Sequence, residues 1–241
     1  MKQYVYIVLL IIGAITLSFS RQTKMETKNN VSDEQRDTLP HSPFDSLPYL
    51  DEKALLDYIQ ITPIIQPKVS NGAPFDKLDY NKIIAYDFEG EEEAYPNVID
   101  ERKGKFVPVI LRQQFLTQKQ ADNILSTLTK SSAYGETTAA CFQPHFALVF
   151  FKDDKKVNQI SVCLDCNYLE SEIAIPAQTY KKVNKGTKEE YALIGFSKTG
   201  RKAIIDLCTE LKFTYGHYDV KAFFADALAA DNNNLFLFSY F

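Results

Sequence analysis

The chain of 241 residues has no tryptophan, two methionines and nine glycines, and none of its four cysteines precedes Cys141. With no cysteine behind the amino terminus there is no acceptor for a lipid near an export signal. The sparse glycines form neither a dinucleotide-binding fingerprint nor a P-loop, so no phosphate-cradling turn is encoded. His-Glu-x-x-His and Gly-x-Ser-x-Gly are missing too, which removes the common zinc-protease and serine-hydrolase motifs. Basic residues do not dominate: 27 Lys and Arg stand against 31 Asp and Glu, for a net charge of −4. That balance gives no electrostatic reason to expect DNA, RNA or an anionic membrane as partner. No reaction is named by a motif.

What is present begins with an export pattern. Lys2 supplies a positive start, Tyr4 to Leu17 are apolar apart from Gly13 and Thr16, and Ser18-Phe19-Ser20 places small residues where a signal peptidase reads. The run is shorter than the roughly 17–25 residues of a spanning helix, so a signal peptide over 1–20, cut after Ser20, is expected, with an uncleaved inner-membrane anchor as the alternative. Either way export is expected, as a periplasmic, cell-surface or secreted chain, with membrane contact only through residues 1–20 if they remain uncleaved. Cleavage removes one lysine and no acid, taking the charge from −4 to −5. Residues 21–44 are polar and read as a disordered leader.

Residues 45–241 carry enough apolar side chains, including most of the seventeen Phe and fourteen Tyr, for one sizeable core without disulfides. Asp51 to Ile59 has helical spacing and stops before Pro63. Strands are expected at Lys82–Phe88, Asn97–Asp100 and Lys105–Gln114, forming an antiparallel meander with a turn at Arg102-Lys103-Gly104. Glu89, Glu91, Glu92 and Glu93 lack the alternating spacing of a calcium loop and read as a solvated connection. Thr117-x-x-Gln120 is a capping box opening a helix to about Lys130, with Ala121, Ile124, Leu125 and Leu128 on its apolar face. Phe146–Phe151 and Val157–Cys163 form a hairpin across Asp153-Asp154-Lys155. A strand at Tyr191–Phe196 precedes a helix capped by Ser197, running from Lys198 to Leu211 and burying Ala203, Ile204, Leu207, Cys208 and Leu211. A last helix at Asp219–Ala230 and a terminal strand at Leu235–Phe241 complete a single α+β domain on a mainly antiparallel sheet.

The functional question gathers on Cys141, His145, Cys163 and Cys166. In a hairpin with a two- or three-residue connection, paired residue numbers sum to about 307 or 308. Cys163 then faces Pro144 or His145, and Cys166 faces Cys141 or Phe142, so all four side chains meet at the open end of one hairpin. Three chemistries fit. A Cys3His zinc site would use all four, each donor reaching to about 2.0–2.3 Å from the ion. A disulfide suits an exported protein, joining Cys141 to Cys163 or Cys166, or Cys163 to Cys166. A redox-active Cys163-x-x-Cys166, with Cys163 attacking and Cys166 resolving, is the third; Asp165 and the lack of a following helix oppose it. His145 alone could simply bond a backbone group, Cys208 reads as a packed thiol, His41 lies in the leader and His217 in a loop.

Lys82 to Phe88, Ala140-Cys141-Phe142-x-Pro144-His145, Val162-Cys163-x-x-Cys166-Asn167-Tyr168 and Phe196-Ser197-Lys198 together resemble a group of uncharacterised exported bacterial proteins, over about residues 75–212. The resemblance implies export and a shared Cys-Pro-His and Cys-x-x-Cys module, and it brings no activity or cofactor. The expected function is a non-enzymatic binding or structural domain, its hairpin clipped by one zinc ion or a disulfide. The competing expectation is an extracytoplasmic thiol-disulfide oxidoreductase using Cys163 and Cys166.

Overall fold

The computed structural model describes residues 47–217. The expected signal peptide, the leader with His41, the helix at 219–230 and the strand at 235–241 lie outside the described residues. Helix α1 (Glu52–Ile61) starts where Asp51 caps it, the carboxylate accepting from the Ala54 N–H at 2.8 Å. It stops at Thr62, ahead of Pro63. Strands follow in the order β1 (Lys82–Phe88), β2 (Ile99–Asp100), β3 (Lys105–Phe106) and β4 (Ile110–Phe115). Helix α2 (Gln118–Leu128) opens on the complete Thr117/Gln120 capping box. After it come β5 (Tyr134–Glu136), β6 (Phe146–Lys152), β7 (Lys155–Cys163), β8 (Tyr168–Ser171), β9 (Lys182–Val183), β10 (Tyr191–Ala192) and β11 (Gly195–Phe196). Helix α3 (Lys198–Leu211) is capped by Ser197 and ends at Lys212 in the left-handed region.

The main sheet is antiparallel throughout, in the order β4-β1-β6-β7-β8. Both faces are covered. Ile83, Ala85, Phe146, Leu148, Phe150, Ile160 and Val162 pack against α2 and α3. Ile84, Tyr86, Phe88, Ala147, Val149 and Phe151 pack against α1 and the β2–β3 hairpin. This double burial is why β1 and β6 are near-continuous apolar runs instead of alternating ones. All described residues fall in one compact unit, an α+β domain as expected.

Three strand expectations need correction. The meander does not form: β2 and β3 pair only with each other, and β1 sits between β4 and β6. The stretch 105–114 is two strands, not one; Pro108 has no N–H for a ladder, and the chain changes partner there, from β2 to β1. The stretch 191–196 is also divided, β10 pairing with β9 and β11 with β5. Gly195 makes the second pairing possible, since a Cβ there would lie 2.3 Å from the Thr137 carbonyl oxygen.

Candidate functional site

The hairpin expectation held in its register. From Phe146↔Val162 to Phe150↔Asn158 the pairs sum to 308, and after a bulge Phe151↔Lys156 and Lys152↔Lys155 sum to 307. Asp153 and Asp154 form the connection, Asp153 with φ 56°. The His145 N–H donates to the Val162 carbonyl at 3.2 Å, just beyond the ladder. Cys163 ends β7, and the chain then reverses through Leu164-Asp165-Cys166-Asn167 into β8, where Tyr168 pairs back with Cys163. The Cys-x-x-Cys motif is therefore itself a turn, one hairpin further than the register argument reached.

Within that turn the sulfurs of Cys163 and Cys166 lie 2.07 Å apart, a bonded pair with Cα atoms 5.2 Å apart. Both residues are fully buried, against Phe142. Cys141, half-buried and a free thiol, brings its Sγ to 3.2 Å from that of Cys166. Backbone donors surround the sulfurs: Gln143 N–H points at Cys166 Sγ (3.4 Å) and Cys166 N–H at Cys163 Sγ (3.0 Å). The Cys141 segment is docked by the Ala139 N–H, which donates to the Cys166 carbonyl at 3.0 Å. Tyr168 lies over Phe142, ring centroids 4.9 Å apart; burial first, then the Glu170 and Glu92 carboxylates and the Cys141 thiol, hold its phenol above the ordinary value.

The structure thus gathers Cys141, Cys163 and Cys166 and leaves His145 apart. His145 Nδ1 lies 3.2 Å from the Phe88 carbonyl oxygen, and its ring stands edge-on to Tyr215. Among the described residues no group of three or more His, Cys, Asp or Glu side chains is placed to share a metal ion. Glu91, Glu92 and Glu93 are exposed, while Glu89 accepts from the Tyr49 hydroxyl at 2.8 Å. His217 is exposed in a short turn. Cys208 is buried on α3, and burial, with the Asp87 charge adding to it, pushes its thiol well up.

Residues that sequence reasoning passed over hold the cysteine turn in place. Arg201 is buried on α3 and donates through one guanidinium nitrogen to the Leu164 carbonyl and, at 3.0 Å, to Asn167 Oδ1. Asn167 takes φ 65°, a conformation asparagine tolerates, and its Nδ2 donates to the Thr137 and Phe196 carbonyls. The Leu164 N–H donates to the Tyr215 hydroxyl at 3.0 Å. The available signal was Arg201 itself, a charge three, four and seven positions before Ile204, Ile205 and Cys208, hence on the buried stripe of the helix. A second buried polar group, Asp87 on β1, accepts from the Thr214 N–H at 3.0 Å near Arg112 and His145. Its burial outweighs these partners and raises its carboxyl above the ordinary value.

No family model, curated protein or solved structure matches the chain.

Proposed function

We propose that this is an exported, non-enzymatic binding or structural domain whose β7–β8 turn is clipped by a Cys163–Cys166 disulfide. The observation that carries it is the turn's construction. Two fully buried sulfurs at bonding distance close the same turn that Arg201 and Tyr215 pin from α3 and the segment after it, through Leu164 and Asn167. A turn fixed from two directions suits a rigid scaffold better than a dithiol that must open to solvent. Export supplies the compartment in which such a bond persists, and it rests on the pattern of residues 1–20. A zinc ion on Cys141, His145, Cys163 and Cys166 would need the bond reduced and the His145 ring turned from the Phe88 carbonyl.

Elemental analysis with peptide mapping, on protein purified from the exported compartment, tests this. The expected result is a metal-free chain with Cys163 and Cys166 joined and no turnover in insulin reduction. One equivalent of zinc with four alkylatable cysteines would establish the zinc clip instead. Insulin turnover abolished by Cys163→Ser would make the protein an oxidoreductase.

A further inference from the structure

The Cys163–Cys166 bond has a third sulfur beside it. Cys141 is a free thiol with its Sγ 3.2 Å from Cys166 Sγ, close enough for thiol–disulfide exchange without rearranging the fold. Exposure is unequally shared. Cys163 and Cys166 are both 0% exposed, so an external thiol cannot reach either, whereas Cys141 is partly open to solvent. The backbone supports the exchange at the leaving side, because Cys166 N–H donates to Cys163 Sγ at 3.0 Å, and a donor aimed at a sulfur favours its thiolate.

We propose that Cys141 is the solvent-facing thiol of a three-sulfur relay that carries the buried disulfide to the surface, where small thiols can react with it. The inference rests on the Cys163–Cys166 bond of the preceding section and adds an exchange activity to it. In the internal step Cys141 loses its proton and attacks Cys166 Sγ. The Cys141–Cys166 bond forms as the Cys163–Cys166 bond breaks, and Cys163 leaves with the electron pair and takes up a proton. No outside oxidant is consumed. In the external step a low-molecular-weight thiol attacks Cys141 Sγ, giving a mixed disulfide on Cys141 and a Cys166 thiol. A second such thiol then attacks the small-molecule sulfur, releasing a symmetrical disulfide and the Cys141 thiol. Two external thiols are oxidised to one disulfide, and the protein bond is reduced to the thiols of Cys163 and Cys166.

The attack sequence differs from that of a helix-starting Cys-x-x-Cys pair: neither motif cysteine meets the substrate first, and Cys141, twenty-five positions from Cys166, does. Cys208 takes no part, being enclosed on α3 with its thiol held protonated by burial.

The test uses the full chain and reduced glutathione, with acid quenching, alkylation and peptide mass mapping. Mapping the untreated wild type comes first. Absence of the Cys163–Cys166 link there would overturn the disulfide clip itself, and the relay with it. With the link present, Cys141→Ser should lose its disulfide to glutathione roughly tenfold more slowly than wild type, because the surface route is gone. Equal rates at equal melting temperature would overturn the relay and leave the clip standing. Cys163→Ser, prepared without reductant, should carry a Cys141–Cys166 link; a variant whose Cys141 and Cys166 both alkylate without reduction contradicts the geometry. Should Cys163→Ser not fold, the Cys141→Ser rate decides alone, since that residue is only half-buried.

Discussion

Replacing Arg201 with leucine should cost more stability than reducing the disulfide in the same turn. The disulfide joins residues three apart, so its loop-closure contribution is small: for about four residues the chain-entropy relation gives about 2 kcal/mol. Arg201 instead satisfies two acceptors in the turn, the buried Leu164 carbonyl and Asn167 Oδ1. Orphaning the buried Leu164 carbonyl costs about 2 kcal/mol, and losing the charged hydrogen bond to the half-buried Asn167 Oδ1 about 1.5 kcal/mol, which places Arg201→Leu at about 3.5 kcal/mol, partly offset by leucine's own burial. Urea unfolding followed by far-ultraviolet circular dichroism, for wild type and variant with and without reductant, gives all four stabilities. Because clamp and disulfide fix the same residues, the two losses should also fail to add, by more than about 0.5 kcal/mol. A smaller loss for Arg201→Leu than for reduction would refute the view that α3, not the sulfur bond, chiefly holds the turn.

Asn158 is buried in β7 with neither side-chain polar atom hydrogen-bonded, so Asn158→Leu, which keeps the branching and the number of heavy atoms, should raise stability by about 1 kcal/mol in the same urea assay; a loss would mean that the amide has a polar role there or that the larger methyl groups overpack the site. Gly200→Ala should lower the melting temperature although alanine is the better helix former by about 1 kcal/mol, because its Cβ would lie 2.3 Å from the Ala133 carbonyl oxygen. Asp87 predicts a pH effect. Its folded carboxyl is raised above the ordinary 3.8, so from that pH upward, until the raised value is passed, the native chain keeps a proton that the unfolded chain has lost. Its contribution therefore falls as pH rises through that window, and Asp87→Asn, which keeps an acceptor for Thr214, should remove this part of the melting-temperature profile. A wild-type minus variant difference that rises with pH would contradict the assignment.

Much of the local structure was written in the chain because its causes are local. The Thr117/Gln120 box, the Ser197 cap and the apolar spacing of α2 and α3 depend on residues within a few positions of each other, and they formed as expected. The β6–β7 register was legible for a similar reason, since a two-residue connection fixes which residues pair. Cys141 does lie beside Cys166, as that register led one to expect, but the ladder ends before them and the turn after Cys163 makes the contact. Strand partners were not legible: β1 and β6 are apolar at nearly every position, and a run buried on both faces carries no sign of its neighbours. The splits at Pro108 and between Ala192 and Gly195 depended on which strand came alongside. At the site itself, the sequence determined which four side chains were candidates and that they share one end of the hairpin. Only the tertiary structure decided the pairing, because the turn after Cys163 doubles the chain back on itself and closes Cys166 onto Cys163, while the end of β1 takes the His145 ring at the Phe88 carbonyl. Arg201 shows the same division: its position on a buried stripe is sequence information, but the carbonyl that it satisfies lies thirty-seven residues earlier and is reached only when α3 packs on the sheet.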